Sequence, residues 1–188
     1  MAQGPHPLAL ALIDRLPARP HAPVLEIGAG SGRNTAALRA AGFVVTAIGA
    51  EEIARAARGY VGALSTHALL HGSPDSIASL LDQIAQRLEK AAPLYATFAS
   101  IHDARYGAGV RLGDHTFAPE AGEERGVPHT YFNEKRLRTL LAKHFELEAI
   151  EEIDASAIVG RWAHAQLPAG TVHWFVHATF CHAEPLEA

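Results

Sequence analysis

Short apolar runs alternate along this chain with segments whose apolar residues recur every three or four positions. The runs predict β-strands, and the helical spacing predicts amphipathic helices packed on a sheet. The predicted strands cover residues 23–27, 43–48, 60–65, 94–98, 147–153 and 172–180, and the predicted helices cover residues 8–16, 32–41, 51–58, 74–90 and 134–143. This alternation favours an α/β fold with a doubly wound, mostly parallel sheet and an antiparallel last strand.

The stretch from about residue 100 to residue 130 interrupts the alternation. It is polar, rich in glycine and without a clear period, so the sequence predicts a long loop. Loops of this length in compact domains are usually functional or mobile, and we place this one on the substrate side. Residues 1–188 contain no repeat or linker and are interpreted as one domain, with an N-terminal helix within residues 1–20.

Composition and charge narrow the class of protein. The 188 residues carry a formal net charge of −4, and no apolar run approaches the roughly 18 residues that span a bilayer. Neither nucleic acid nor a membrane is therefore an expected partner. The single cysteine, Cys181, excludes an intramolecular disulfide, and the N-terminus lacks the pattern of a secretory signal. These features favour a cytoplasmic location.

A glycine-rich turn follows the first predicted strand. Residues 26–32 read Glu-Ile-Gly-Ala-Gly-Ser-Gly. Glycines permit unusual backbone angles and a close approach of a ligand to the main chain, and the next helix presents backbone N–H groups at its N-terminus. Because ligands of doubly wound sheets bind beyond the carboxyl ends of the strands, this turn is the predicted centre of the site.

Two common phosphate-binding patterns fit the turn poorly. A P-loop requires a lysine after its last glycine, where Arg33 stands, and the dinucleotide pattern G-x-G-x-x-G differs from the G-x-G-x-G found here. The carboxylate of Glu26 would repel a pyrophosphate but suits a cationic or zwitterionic ligand. This favours S-adenosylmethionine (SAM), which carries an ammonium beside a sulfonium, over a nicotinamide cofactor.

Residues 26–32 resemble motif I of the class I SAM-dependent methyltransferases. Residues 30–34, together with Leu64-Ser65-Thr66-His67, resemble the compact tellurite-resistance type in particular. The resemblance implies a Rossmann-like methyltransferase sheet and SAM as the cofactor, with its methionine part against the glycines and its ammonium near Glu26. It implies a cofactor role for Glu26, Gly28, Ala29, Gly30, Gly32, Asn34, Gly49, Glu51, Ser65 and Thr66.

Two features of the chain depart from that family. The position that normally supplies a carboxylate to the ribose, at the end of the second strand, is Gly49, so Glu51 or Glu52 would have to reach back. Only a dozen residues separate the second predicted strand from the third, where the family has a helix and a strand. The sequence therefore predicts a sheet without one edge strand and a shortened adenine side.

Histidine and arginine side chains are the candidates for the acceptor side. The resemblance points to His67, His129, Arg161 and His164 as catalytic, and His102, Arg105 and Tyr106 follow a strand on the same face. His67 and His71 could share a helical face, but Ala68 stands where the H-E-x-x-H zinc pattern needs glutamate, so no metal site is expected. Seven histidines are interpreted as structural or solvated: His6, His21, His115, His144, His173, His177 and His182.

Together these features predict methyl transfer from SAM to a small-molecule acceptor. The alternative is a degenerate methyltransferase fold that no longer uses SAM and acts as a binding or regulatory protein. A homodimer is the assembly that we keep open.

Overall fold

The computed structural model describes residues 4–157 and 169–181. Its helices are α1 (Pro7–Arg15), α2 (Arg33–Ala40), α3 (Pro74–Ala85) and α4 (Glu134–Leu141), with a 3-10 helix at Ala50–Arg55 and a shorter one at Ala155–Ala157. Its strands are β1 (Pro23–Ile27), β2 (Val44–Ile48), β3 (Gly62–Ser65), β4 (Pro93–Ser100), β5 (Val110–Gly113), β6 (Thr116–Ala118), β7 (His129–Phe132), β8 (Phe145–Asp154) and β9 (Val172–Phe180).

The main sheet has the strand order β2-β1-β3-β4-β9-β8. Its first four strands are parallel, and β9 runs antiparallel to both β4 and β8. The predicted doubly wound sheet with an antiparallel last strand is therefore confirmed. No helix in the described ranges is long and apolar enough to cross a bilayer.

Helices cover both faces of the sheet because each presents one apolar stripe. On one face α3 buries Ile77, Leu81 and Ile84 in a core shared with α4. On the other face α1 and α2 bury Leu8, Leu12 and Leu38 in a separate core. Both layers leave the carboxyl ends of β1, β3 and β4 at one edge of the sheet.

Helix ends follow local capping chemistry. The Ser73 hydroxyl accepts a hydrogen bond from the Ser76 N–H and starts α3 at Pro74, as predicted. The helix ends at Ala85 rather than near residue 90, because Leu88 forms a bridge with Tyr60 as the chain turns back toward β4. The predicted helix at residues 51–58 is a single 3-10 segment at Ala50–Arg55.

The region of residues 100–130 is more ordered than the predicted loop. β5, β6 and β7 form an antiparallel ribbon, and β7 pairs with Ala99 and Ser100. This pairing is possible because β4 runs past the end of β3, whose ladder stops at Ala96. The sequence pattern did not predict the ribbon, because its strands are only three or four residues long and β5 is exposed throughout.

The edge strand β2 pairs with β1 alone within the part of the chain that the structure describes. The segment between β2 and β3 holds the 3-10 helix Ala50–Arg55 and the bridge residue Tyr60, with no further strand there. The chain therefore passes from β2 to β3 without an additional strand, and a shortened adenine side stays a prediction.

The segment after β3 forms turns rather than a helix. His67 has a φ of 70°, and residues 66–70 are bends and turns. His67 and His71 therefore do not share a helical face, which the sequence had allowed as one possibility. The backbone reverses here because the His67 N–H donates to the Thr97 hydroxyl on β4, at 2.8 Å, instead of to a helical carbonyl.

Candidate functional site

The glycine turn between β1 and α2 adopts a conformation that side chains disfavour. Gly28, Gly30 and Gly32 have φ values of 75°, 51° and 75°. A Cβ on Gly28 would come within 2.8 Å of the Cβ of Ala68, whereas one on Gly30 or Gly32 would enter open space. The turn thus packs on one side and leaves free volume on the other, against which a ligand could lie.

Glu26 lies under this turn and is 1% exposed. One carboxylate oxygen, Oε2, accepts a hydrogen bond from the Thr35 hydroxyl. The other, Oε1, is buried and has no hydrogen-bond partner among the described residues. Burial raises the pKa of Glu26, against the opposing effects of the Thr35 and Asn34 side chains. A buried carboxylate oxygen that accepts no hydrogen bond lowers the stability of the fold unless a ligand supplies a donor.

Asn34 and Thr66 hold the turn from behind. The Asn34 Oδ1 accepts from the His6 N–H at 2.8 Å, and its Nδ2 donates to the Thr66 hydroxyl at 3.1 Å. Asn34 is 2% exposed, so its amide is committed to joining α1, α2 and the end of β3. The neighbouring Ser65 hydroxyl is buried without a hydrogen-bond partner in the described chain.

Two glutamates follow β2, and the structure separates their roles. The Glu52 carboxylate accepts from the Gly49 N–H at 2.8 Å and caps the 3-10 helix. The Glu51 carboxylate lies directly over Gly49, in the volume that a Cβ at that position would occupy. Glu51 therefore brings a carboxylate back to the end of β2, and glycine at position 49 makes room for it.

Three histidines form a cluster beside the turn. The ring of His67 lies 4.9 Å from that of His173 and 6.3 Å from that of His6, centroid to centroid. His6 and His173 are each 1% exposed. Burial, aided by the charge of Arg33 near His6 and of Arg105 near His173, lowers the pKa of His6 to about 2 and that of His173 to about 3. Both rings are therefore neutral near pH 7.

Arg105 is already paired at the edge of this cluster. Its guanidinium makes two hydrogen bonds to the buried Asp103 carboxylate, at 2.9 and 3.0 Å. The Arg105 Nη2 lies 3.4 Å from the His173 Nε2, and Asp103 also accepts from the Val172 N–H. Arg105 thus supplies fixed positive charge beside His173.

A second cluster joins His71, Glu124 and His129. The His129 Nε2 lies 3.1 Å from Glu124 Oε2, and the His71 Nε2 lies 3.5 Å from Glu124 Oε1. The hydrogen bond with His129 and the proximity of His71 hold the pKa of Glu124 well below its usual range. The sequence proposed His129 without its carboxylate partner, since Glu124 lies in a stretch without a recognisable pattern.

The amino-acid sequence matches no protein-family model and no curated protein, so the comparison rests on solved structures. A SAM-dependent methyltransferase from Methanosarcina mazei superposes with a TM-score of 0.67 at 16% identity, covering 95% of this chain and 99% of that one. The 1,6-didemethyltoxoflavin N1-methyltransferase of Burkholderia thailandensis, solved with bound 1,6-didemethyltoxoflavin and S-adenosylhomocysteine, gives a TM-score of 0.67 at 22% identity, covering 94% of this chain and 77% of that one. The magnesium protoporphyrin IX methyltransferase of Synechocystis, solved with SAM, gives 0.58 at 14% identity over 92% and 76%.

The chain has the fold of the class I SAM-dependent methyltransferases. The similarity runs over almost the whole chain, in agreement with the resemblance seen at residues 26–32. At these low sequence identities, the similarity shows that the architecture is shared and shows nothing about the activity.

The structure describes some, but not all, of the predicted site residues. Arg161 and His164 lie outside the described residues. His102 contacts the Glu152 carboxylate at 2.8 Å, and the Tyr106 hydroxyl contacts the His115 Nδ1 at 2.6 Å. His6 and His173, which were interpreted from the sequence as structural or solvated, are buried beside His67. No local sequence motif indicates this cluster, because α1, the turn after β3 and β9 come together only in the folded chain.

Proposed function

We propose that this protein transfers a methyl group from SAM to a small-molecule acceptor. The single observation that carries the proposal is the buried, incompletely hydrogen-bonded carboxylate of Glu26 beneath an open glycine turn. An ammonium group placed there would donate the hydrogen bond that this carboxylate lacks. SAM carries such an ammonium beside its sulfonium. The bound SAM and S-adenosylhomocysteine of two structural neighbours support the same cofactor.

The cofactor side of the proposal uses two carboxylates at two strand ends. The backbone of Gly28, Ala29, Gly30 and Gly32 would lie against the methionine part, with Glu26 near its ammonium. Glu51 would hold the ribose hydroxyls from its position over Gly49. Ser65 offers a buried hydroxyl nearby, whereas Asn34 and Thr66 act indirectly, by keeping the turn in place.

The acceptor side would be the histidine cluster. Methyl transfer is an in-line displacement whose catalysis depends mainly on proximity, orientation and exclusion of water. A base is needed only when the acceptor must lose a proton, and a neutral imidazole can take that proton. We assign this role to His67, which is half-buried and lies between His6 and His173. His164, Arg161 and His129 stay predicted contributors.

Calorimetric titration with SAM and with S-adenosylhomocysteine tests the proposal. The wild-type chain should bind both, and Glu26→Gln should weaken both by about 10-fold or more, since a hydrogen bond to a charged group contributes roughly 1.5–3 kcal/mol. The same substitution should raise the unfolding free energy at pH 7, because it removes a charge whose pKa is raised by burial.

A lower affinity for SAM together with a higher stability in Glu26→Gln would identify Glu26 as a ligand-binding carboxylate rather than a structural one. If millimolar SAM and S-adenosylhomocysteine both fail to bind the wild-type chain, the proposed function is contradicted. If Glu26→Gln instead lowers stability and leaves both affinities unchanged, Glu26 has no part in cofactor binding.

The role of Glu51 can be separated from that of Glu26 with a truncated ligand. Methylthioadenosine keeps the ribose of SAM but lacks its amino-acid part. We expect Glu51→Gln to weaken SAM and methylthioadenosine alike, by about 10-fold for a hydrogen bond to a charged group. Glu26→Gln should weaken SAM and leave methylthioadenosine unchanged.

Glu52→Gln is the matched control for this experiment. It removes the same charge one residue away, but its carboxylate is engaged with the Gly49 N–H. Calorimetry should show little change in the affinity of this variant for either ligand. Equal losses in Glu51→Gln and Glu52→Gln would mean that the effect is one of general charge, and the ribose role of Glu51 would be rejected.

A further inference from the structure

His71, Glu124 and His129 come from three separate segments and converge on one point. His71 ends the turn after β3, Glu124 lies in the segment before β7, and His129 begins β7. A backbone bridge joins His71 to His129, and their rings meet edge to face at a centroid distance of 4.8 Å. One ligand atom from each of the three side chains lies within 4.8 Å of the other two.

The hydrogen bonds of His129 leave one ring nitrogen facing the carboxylate. Its Nδ1 lies 2.8 Å from the carbonyl oxygen of Val127. A carbonyl only accepts, so Nδ1 donates, and in the neutral ring Nε2 carries the lone pair. Nε2 faces Glu124 Oε2 at 3.1 Å; with a proton on Nε2 the two atoms share a hydrogen bond, and without that proton both present lone pairs. A cation between the two atoms would satisfy both.

His71 presents a second nitrogen to the same carboxylate. Its Nε2 is buried and has no hydrogen-bond partner in the described residues, although it lies 3.5 Å from Glu124 Oε1. The side chains of His71 and Glu124 are 38% and 35% exposed, whereas that of His129 is 4% exposed. Two imidazoles and one carboxylate therefore surround a point that solvent can reach from one side.

We propose that His71, Glu124 and His129 bind a divalent transition-metal ion, with zinc as the ion that fits best. Zinc takes imidazole nitrogen and carboxylate oxygen at about 2.0–2.2 Å, which places the ligands of a tetrahedral site about 3.4 Å apart. His129 Nε2 lies 3.1 Å from Glu124 Oε2 and His71 Nε2 lies 3.5 Å from Glu124 Oε1, both close to that value, and one ligand atom from each of the three side chains lies within 4.8 Å of the other two. Three protein ligands leave one position of the tetrahedron open, on the exposed side of the cluster.

The surroundings of the cluster also suit a metal site. The bond from His129 Nδ1 to the Val127 carbonyl is the kind of outer contact that orients a metal-bound imidazole. Beside His129, the Thr130 hydroxyl donates to the Gly72 carbonyl at 2.7 Å and the Thr130 N–H to the Leu70 carbonyl at 2.9 Å. The backbone that carries both histidines is therefore held before any ion binds. This proposal does not depend on methyl transfer.

Zinc titration of the untagged full chain, after removal of metals with a chelator, tests the site. We expect one equivalent of zinc to bind with a dissociation constant in the micromolar range or below. Glu124→Gln should weaken this binding at least about 10-fold, and His129→Ala by about 100-fold, since even outer contacts contribute 10- to 100-fold. Magnesium, which prefers oxygen ligands, should not compete.

His144→Ala is the matched control. His144 Nε2 contacts the Asp82 carboxylate at 2.7 Å, so this variant also breaks a histidine–carboxylate pair, outside the proposed cluster. It should bind zinc as the wild-type chain does. Cobalt(II) provides a second measurement, because absorption bands of a four-coordinate ion should appear in the wild-type chain and be lost in Glu124→Gln.

Glu124→Gln keeps the test decisive if His129→Ala fails to fold, because Glu124 is partly exposed and its replacement conserves shape. The proposal is overturned if the wild-type chain binds zinc no more tightly than Glu124→Gln, or if His144→Ala loses binding to the same extent. Either result would leave the cluster as a hydrogen-bonded histidine–glutamate–histidine arrangement only.

Discussion

Replacing Gly30 by valine should abolish SAM binding while the chain still folds. A side chain at this position would enter the open space in front of the turn, where the proposed cofactor's amino-acid part would lie. The loss should be at least about 100-fold, equivalent to about 2.7 kcal/mol, because a branched side chain excludes the ligand rather than weakening one contact. Gly30 has a φ of 51°, so the substitution also costs roughly 1–2 kcal/mol of stability.

Gly42→Val separates exclusion of the ligand from backbone strain. Gly42 also has a positive φ, 93°, and open space around its Cβ, but it lies just before β2, at the opposite edge of the sheet. Calorimetry and urea unfolding of both variants should show comparable losses of stability and a loss of affinity in Gly30→Val alone. Normal SAM binding by Gly30→Val would mean that the cofactor lies elsewhere.

Stability should fall steeply as the pH drops below about 6.5, because His6 and His173 are buried as neutral rings. Their pKa values are lowered to about 2 and about 3 in the folded chain, from 6.5 when unfolded. A lowered pKa gives stability that is present above 6.5 and lost as the pH falls toward the folded value. Two such groups contribute about 2.7 kcal/mol per pH unit in that window, a large share of the stability of an ordinary domain.

Urea unfolding at several pH values between 7.5 and 4.5 measures this slope. His173→Gln should reduce it by about 1.4 kcal/mol per pH unit, since one of the buried neutral rings is removed. His6→Asn should do the same and keep α1 capped, because the His6 Nδ1 now accepts from the Leu8 N–H and asparagine can replace it there. An unchanged slope in both variants would show that these rings do not resist protonation. Glu26, whose pKa is raised, acts in the opposite direction as the pH rises above 4.5.

The sequence predicted the elements whose signal is local and strong. The strand β9 has the predicted bounds, and β1 and the start of α3 also agree, because a buried run or a Ser-Pro cap acts through its own neighbours. The ribbon of β5, β6 and β7 was missed, since it depends on the free end of β4, about thirty residues earlier in the chain than β7. Residues 66–71 were compatible with a turn or a short helical piece, and the bond from the His67 N–H to Thr97 decides for the turn.

The same distinction applies to the candidate site, where some residues could be predicted from the sequence and others could not. Glu26 and the glycines are contiguous in sequence, and their spacing alone indicated a ligand with a positive group. The choice between Glu51 and Glu52 needed the structure, because both are two or three residues from Gly49 and only side-chain placement separates a cap from a free carboxylate. The surroundings of Glu124 and His173 could be found only from the structure, since His173 packs against a residue distant in the chain and Glu124 lies in a stretch without a recognisable pattern.

What the sequence by itself determined is the doubly wound sheet and the glycine turn, because hydrophobic period and glycine spacing are properties of consecutive residues. What only the tertiary structure decided is the chemistry around that turn. The incomplete carboxylate of Glu26, the neutral rings of His6 and His173 and the meeting of His71 with Glu124 and His129 arise where separate segments exclude water together. Burial and hydrogen bonding are properties of the folded chain, and they determine the chemistry that each of these side chains can perform.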